Sequence, residues 1–186
     1  VLCTDGEFHS ARRQFARWVE SGDIALTLVP ADPFPTLEER LLAAARTDAH
    51  DLIMVSQVLF GSGKVFAAVA ELAGLADPKG PWVVIDGYHS FMALEAPFPP
   101  TVAQRAFFLG GGYKYAMAGE GMGFMHCPPD FGPRPPLTGW YAEFDDLSLP
   151  PGMVGYAKDA MRFMGATFDP SALYRFIAVR RALAAE

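Results

Sequence analysis

The sequence predicts an α/β fold, a mostly parallel sheet sandwiched by helices. Short apolar runs rich in Val, Ile, Leu and Phe alternate with longer segments of helical period, as strands of a covered parallel sheet do. With 186 residues, 51% of them hydrophobic and 19% charged, the chain can bury the core of one globular domain.

Taken in order, the candidate strands are Val1–Thr4, Ile24–Val29, Leu52–Ser56, Trp82–Ile85, Ala106–Leu109 and Gly123–His126. The last follows its predecessor after a short loop, which favours an antiparallel pairing. A first helix is expected from an N-cap at Ser10 to Gly22, where glycine accommodates a left-handed cap. Thr36 and Glu39 have the spacing of a capping box ahead of Leu41, Leu42 and Ala45, which places a second helix there. A third, Val65 to Leu75, is apolar nearly all round and is expected between layers. Residues 128–152 carry seven prolines and read as an extended excursion, and a last helix spans Ser171 to Ala185.

The net charge of −6 and pI near 5.2 supply no positive field for nucleic acid. Two cysteines, Cys3 and Cys127, are too few for a disulfide framework, so a reducing, cytoplasmic location is expected. No apolar stretch is long enough to predict a membrane span. The chain opens on Val-Leu-Cys-Thr with a strand already under way and ends inside a helix, the pattern of an excerpt from a longer polypeptide.

Two segments carry chemistry. Asp86-Gly-Tyr-His89 directly follows a strand, which puts a carboxylate and an imidazole where open α/β sheets bind ligands. Taken alone, it reads equally well as an aspartate capping a turn beside a half-buried histidine. Gly110-Gly-Gly-Tyr-Lys-Tyr-Ala-Met-Ala-Gly-Glu-Gly121 sets one lysine between two tyrosines in a glycine-rich segment. A desolvated lysine loses its proton more readily and becomes an imine-forming amine, whereas an exposed loop lysine would be inert. Phe60-Gly-Ser-Gly-Lys64 is not a phosphate loop, since Val58 and Val65 stand where that motif needs Gly and Ser or Thr. The scattered His9, His50, His89 and His126 lack metal-ligand spacing, so no metal site is expected.

Together these segments resemble the class V aminotransferase superfamily of fold-type I pyridoxal 5′-phosphate (PLP) enzymes, with kynureninase-like members nearest. Glu7-Phe-His-Ser10 is similar to the family's Phe-Pro-Ser segment, which implies that Phe8 stacks on the cofactor ring. Val55-Ser-Gln-Val-Leu59 resembles its Ser-Asn-Val-Leu run, implying Gln57 near the phenolic oxygen or the substrate carboxylate. Asp86-x-x-His89 matches an Asp-x-x-His/Gln pattern, implying Asp86 on the pyridine nitrogen and His89 on the phenolic oxygen. Tyr113-Lys114-Tyr115 matches the kynureninase Tyr-Lys-Tyr, implying Lys114 as the Schiff-base lysine and Tyr113 on the phosphate. Gly139-Trp-Tyr141 is similar to Gly-Trp-Trp, implying Trp140 on the phosphate. Phe163-Met-Gly-Ala-Thr167 is similar to Phe-x-x-Gly-Thr, implying Thr167 on the phosphate of a partner subunit. The pattern departs at Ala11, where kynureninases carry aspartate, and at Gly112, where a phosphate-binding hydroxyl is usual. Cys127 closes a strand and reads as core, not as the mobile nucleophile of a desulfurase.

The resemblance implies that residues 1–186 are the central part of a PLP-binding large domain, without its N-terminal segment and C-terminal small domain. It further implies an amino-acid substrate, a homodimer with shared active sites, and transamination, elimination, epimerisation or kynureninase-like C–C hydrolysis. The rival reading is a non-catalytic binding or regulatory module that keeps the fold.

Overall fold

Six strands build one sheet in the computed structural model, which describes residues 1–47, 50–145 and 147–185. They are β1 (Leu2–Thr4), β2 (Thr27–Val29), β3 (Leu52–Ser56), β4 (Trp82–Asp86), β5 (Ala106–Gly111) and β6 (Gly123–His126). Their order is β2-β1-β3-β4-β5-β6; every pairing is parallel except β5 with β6 at one edge. The expected strand at Ile24–Val29 is shorter because Ile24 and Leu26 pack into the core ahead of the paired residues instead of joining the ladder.

Side chains alternate across this sheet with period two. Leu2, Ile53, Val55, Val83 and Ile85 lie on the face covered by α2 (Leu37–Ala45), α3 (Val69–Gly74) and α4 (Pro100–Ala103). Cys3 and Met54 face the other way, against Phe15 of α1 (His9–Glu20). Further along that second face, Trp82 stacks on Phe107 at 5.3 Å, with Phe131 edge-on to both and Phe163 edge-on to Phe107. Phe163 comes from the stretch after the proline-rich excursion, and Phe131 from the excursion itself. Arg162, 4% exposed, fastens it by donating to the carbonyls of Phe131, Asp159 and Gly132 at 2.5, 2.6 and 3.0 Å. Among its described residues the excursion is irregular apart from a tight turn at Trp140–Glu143; a second turn at Ala160–Phe163 and then α5 (Ser171–Leu183) follow it.

Two helix starts and one capping bond differ from expectation. The first helix begins at His9 with Phe8, not Ser10, as its N-cap; Phe8 is extended (φ −61°, ψ 149°) and supplies no side-chain cap. The Thr36–Glu39 capping box does not form, because the Thr36 hydroxyl donates to the Pro33 carbonyl and accepts from Arg40 Nε. The helix expected from Val65 begins at Val69: Val65 bridges Val58, and Phe66 N–H donates to the Gln57 carbonyl. Two extended pairings thus consume residues that helical period had claimed. No helix among the described residues is long and apolar enough to cross a membrane.

Candidate active site

The site lies at the C-terminal ends of β3, β4 and β5, where parallel strands leave a crevice. Register aligns Met54 with Val84, Ser56 with Asp86, and Asp86 with Leu109, so Met54, Asp86 and Leu109 present to one face. They line a cleft of about 380 Å³ together with Phe8, Ser10 and Ala11 from the start of α1 and Tyr88, Tyr113 and Lys114 from the loops beyond the strands.

Asp86 ends β4, and one of its carboxylate oxygens accepts the Tyr88 N–H at 3.0 Å. The turn-capping reading and the site reading therefore hold at once. That turn carries His89 toward the lysine: Lys114 Nζ lies 2.6 Å from His89 Nε2. The ammonium position is walled by aromatic faces, 5.2 Å from the Phe8 ring, 5.6 Å from Tyr113 and 5.9 Å from Tyr88. Phe8 is itself held edge-on against Phe60 and His89.

The electrostatics follow from partial burial beside one carboxylate. Burial pushes Lys114 below the ordinary lysine value, and Asp86 draws it part of the way back. His89 is lowered by burial and then by Lys114, against the pull of Asp86. Asp86 is raised by burial, opposed by the Tyr88 N–H bond, His89 and Lys114. Tyr88 is raised by burial, by Tyr113 and by Asp86. A neutral imidazole against an amine that releases its proton early is the arrangement a nucleophilic lysine needs.

The glycines before the lysine are required by packing. A Cβ on Gly111 would lie 2.2 Å from the Tyr88 ring, so only glycine lets that tyrosine cross the strand and wall the cleft. A Cβ on Gly112 would meet Met122 Sδ at 2.6 Å and Ala118 Cβ at 3.0 Å. No hydroxyl-bearing residue fits there without displacing the lysine loop. Gly112→Ser is expected to cost about 1–3 kcal/mol, the usual scale of overpacking. A thermal melt within a degree of wild type would show that the loop yields freely.

Of the residues expected at the site, Phe8, Asp86, Tyr113 and Lys114 line the cleft and His89 touches the lysine. Gln57, Trp140 and Thr167 are not brought there. Ser56 shares the face of Asp86, so Gln57, one residue on, turns to the opposite side, where its amide donates to the Pro97 carbonyl at 2.7 Å. Its Oε1 is buried without a hydrogen-bond partner among the described residues. Trp140 is half-exposed and packs on Tyr141 and Phe144, and Thr167 is exposed. Cys127 follows β6 with its thiol raised by burial, unlike a poised nucleophile.

Beyond Ser10, Met54 and Leu109, which complete the lining, Tyr88 and Glu7 were not foreseen. Tyr88 lies inside the Asp86–His89 segment, and its position beyond a strand end was the available signal. Glu7 is fully buried at the ends of β1 and β3, where it accepts from the Thr4 hydroxyl at 2.6 Å, the Ser56 hydroxyl at 2.5 Å and the Ser56 N–H at 2.8 Å. It anchors the backbone just before Phe8.

No family profile matches the chain, and no curated protein matches it in sequence. Solved structures do match in fold. The cysteine desulfurase CsdA from Escherichia coli superposes with a TM-score of 0.72 at 15% identity, over 98% of this chain and 45% of its own. A C-DES mutant with glycine covalently linked to its PLP cofactor gives 0.71 at 18% identity, over 98% of this chain and 48% of its own. Histidinol-phosphate aminotransferase from Sinorhizobium meliloti, in complex with PLP, gives 0.56 at 16% identity, over 96% and 43%. The chain thus has the mostly parallel α/β fold of fold-type I PLP enzymes and spans about half the length of these structures.

Proposed function

We propose that this chain is the cofactor-binding core of a PLP-dependent enzyme that acts at the α- or β-carbon of an amino-acid substrate. The observation that carries the reading is one cleft lined by both an amine with a depressed pKa, Lys114, and a half-buried carboxylate, Asp86, under the ring of Phe8. A pyridine aldehyde fits that donor set: Lys114 would hold the aldehyde carbon, Asp86 the ring N–H, and Phe8 would cover a ring face. PLP, when bound, supplies an electron sink for the bond broken at the substrate carbon.

The chain's own residues account for the rest. Lys114 would hold the cofactor and, as a free amine, could hold and return a proton at the substrate carbon. Neutral His89, 2.6 Å from Nζ, orients that amine. Burial raises the Asp86 pKa, and the Tyr88 N–H bond, then His89 and Lys114, oppose that rise in the direction that favours a carboxylate facing a ring N–H. The likeness to class V members of kynureninase type supports Tyr113 toward the phosphate, and exposed Thr167 toward the cleft of a second copy in a homodimer. Ala11 lines the cleft where kynureninases carry an aspartate, which favours transamination, elimination or epimerisation over kynurenine hydrolysis. A module that only binds has no use for an activated amine facing a carboxylate.

The test is chemical mapping. The full-length protein is incubated with PLP, reduced with borohydride and digested. A pyridoxyl group on Lys114, with a visible absorbance band before reduction, is the expected result. A colourless protein, or label spread over surface lysines with none at Lys114, would overturn the reading. Release of keto-acid, ammonia or alanine from a panel of amino acids then assigns the reaction.

A further inference from the structure

Lys114 lies in the connection between β5 and β6, a loop that closes on itself. Gly112 N–H donates to the Met122 carbonyl at 2.9 Å, Ala118 N–H to the Gly112 carbonyl at 2.7 Å, and Met117 N–H to the Lys114 carbonyl at 3.1 Å. The turn is tight enough to hold Met117 at φ 52°, a conformation side chains rarely adopt, and Gly119 and Gly121 at φ 72° and 91°. Along the same loop come the carbonyls of Ala118 and Glu120.

Those carbonyls are met by a side chain from the last helix, more than fifty residues on. Arg175 of α5 donates Nε–H to the Ala118 carbonyl and Nη2–H to the Glu120 carbonyl, both at 2.7 Å. Beneath the contact, Ala118 and Met122 from the loop and Ala172 from α5 form a buried cluster walled by Phe91, Phe124 and Phe176. Ala118 is thus tied on both sides, by its N–H to the first residue of the loop and by its carbonyl to the guanidinium. The fit is close, since a Cβ on Gly119 would stand 3.2 Å from Arg175 Nε. A planar guanidinium can serve two carbonyls at fixed spacing, which a single ammonium does poorly.

We propose that Arg175 is a positioning residue for Lys114, acting through the carbonyls of Ala118 and Glu120 to fix the loop that aims the amine into the cleft against His89. The role rests on the reading of Lys114 as the cofactor lysine. It makes α5 a part of the active site's framework: a shift of that helix moves the backbone that shapes the turn around the amine.

The test reads the lysine itself, without cofactor. Full-length apoprotein is labelled with trace acetic anhydride across a pH series, and acetylation at Lys114 is quantified by mass spectrometry against an added lysine peptide. In the wild-type protein the midpoint is expected below that of the peptide, because the amine is partly buried. Arg175→Gln is expected to move the midpoint back toward the peptide, lowering the free amine at neutral pH about threefold to tenfold as the loop admits water. Arg175→Lys should recover part of that loss. Gly119→Ala, which crowds the same contact from the loop side, gives a second route should the arginine variant fold poorly. Wild-type midpoints in both Arg175→Gln and Gly119→Ala, with or without a lower melting temperature, would reduce Arg175 to a purely structural tie and overturn the proposal. Failure of Lys114 to take PLP in the borohydride mapping would instead remove the cofactor reading and leave the midpoint comparison standing.

Discussion

Lys114→Ala in the full-length protein is expected to lower turnover about a thousandfold or more, the combined scale of a lost nucleophile and a lost proton carrier. The melting temperature should stay at or slightly above that of the wild-type protein. The two halves have one cause. Among the described residues, the ion pairs within 4 Å are Arg17–Glu20 and Arg46–Glu71; Lys114 instead faces three aromatic rings and an imidazole. Because its pKa is lowered on folding, chiefly by burial, the folded state binds this proton less tightly than the unfolded state. The contribution to stability therefore falls as pH drops through the ordinary lysine value toward the folded one, and at neutral pH it is unfavourable. Alanine removes that cost together with the ring contacts and the bond to His89, which can turn to water. Turnover within tenfold of wild type would eliminate Lys114 as the reacting amine. A melting temperature many degrees lower would mark it as a structural lysine.

That Lys114 and Asp86 would meet in one cleft beyond the strand ends was legible in the sequence. Each stands beyond an apolar strand in a segment whose other residues cannot solvate it, and each strand end could be read from a run of four or five residues. The sheet was legible on the same ground, down to the antiparallel β6 after its short loop. What could not be read depends on contacts across the chain. Gln57 fell on the wrong side because a motif match fixes order along the chain, whereas the face is decided by the register of Ser56 with Asp86. The Thr36 cap failed to a local competitor, the Pro33 carbonyl, and the Val65 helix start to an extended bridge with Val58. The glycines ahead of Lys114 were visible only as a glycine-rich segment. Their reason is the bulk of Tyr88 and Met122, which no spacing rule reveals. Arg175 reads in sequence as one more cation on a helix, until the loop it holds is folded against it.

Glu7 is the residue whose loss should cost the fold most. Its carboxylate joins β1 to β3, accepting from Thr4 N–H and hydroxyl on one oxygen and from Ser56 N–H and hydroxyl on the other, with nothing exposed to water. Glu7→Ala leaves those donors facing a void and is expected to cost about 3–5 kcal/mol, the scale of breaking a buried hydrogen-bonded charge. Glu7→Gln keeps the volume but turns an N–H₂ toward donors, and about 1–3 kcal/mol is expected. Its pH dependence separates the forces at work. Burial raises the Glu7 pKa above 4.5 despite bonds from Ser56 and Thr4 that lower it. The folded state then holds the Glu7 proton more tightly than the unfolded state, so wild-type stability from this group declines as pH rises from 4.5 through the folded value. Glutamine does not titrate, so the deficit of Glu7→Gln should narrow between pH 5 and pH 8 in urea denaturation. A deficit that widens over the same range would mean that the four donors outweigh burial and that Glu7 is held as an anion. Either variant should also disturb the cleft, because the next residue is Phe8, whose ring lies 5.2 Å from Lys114 Nζ.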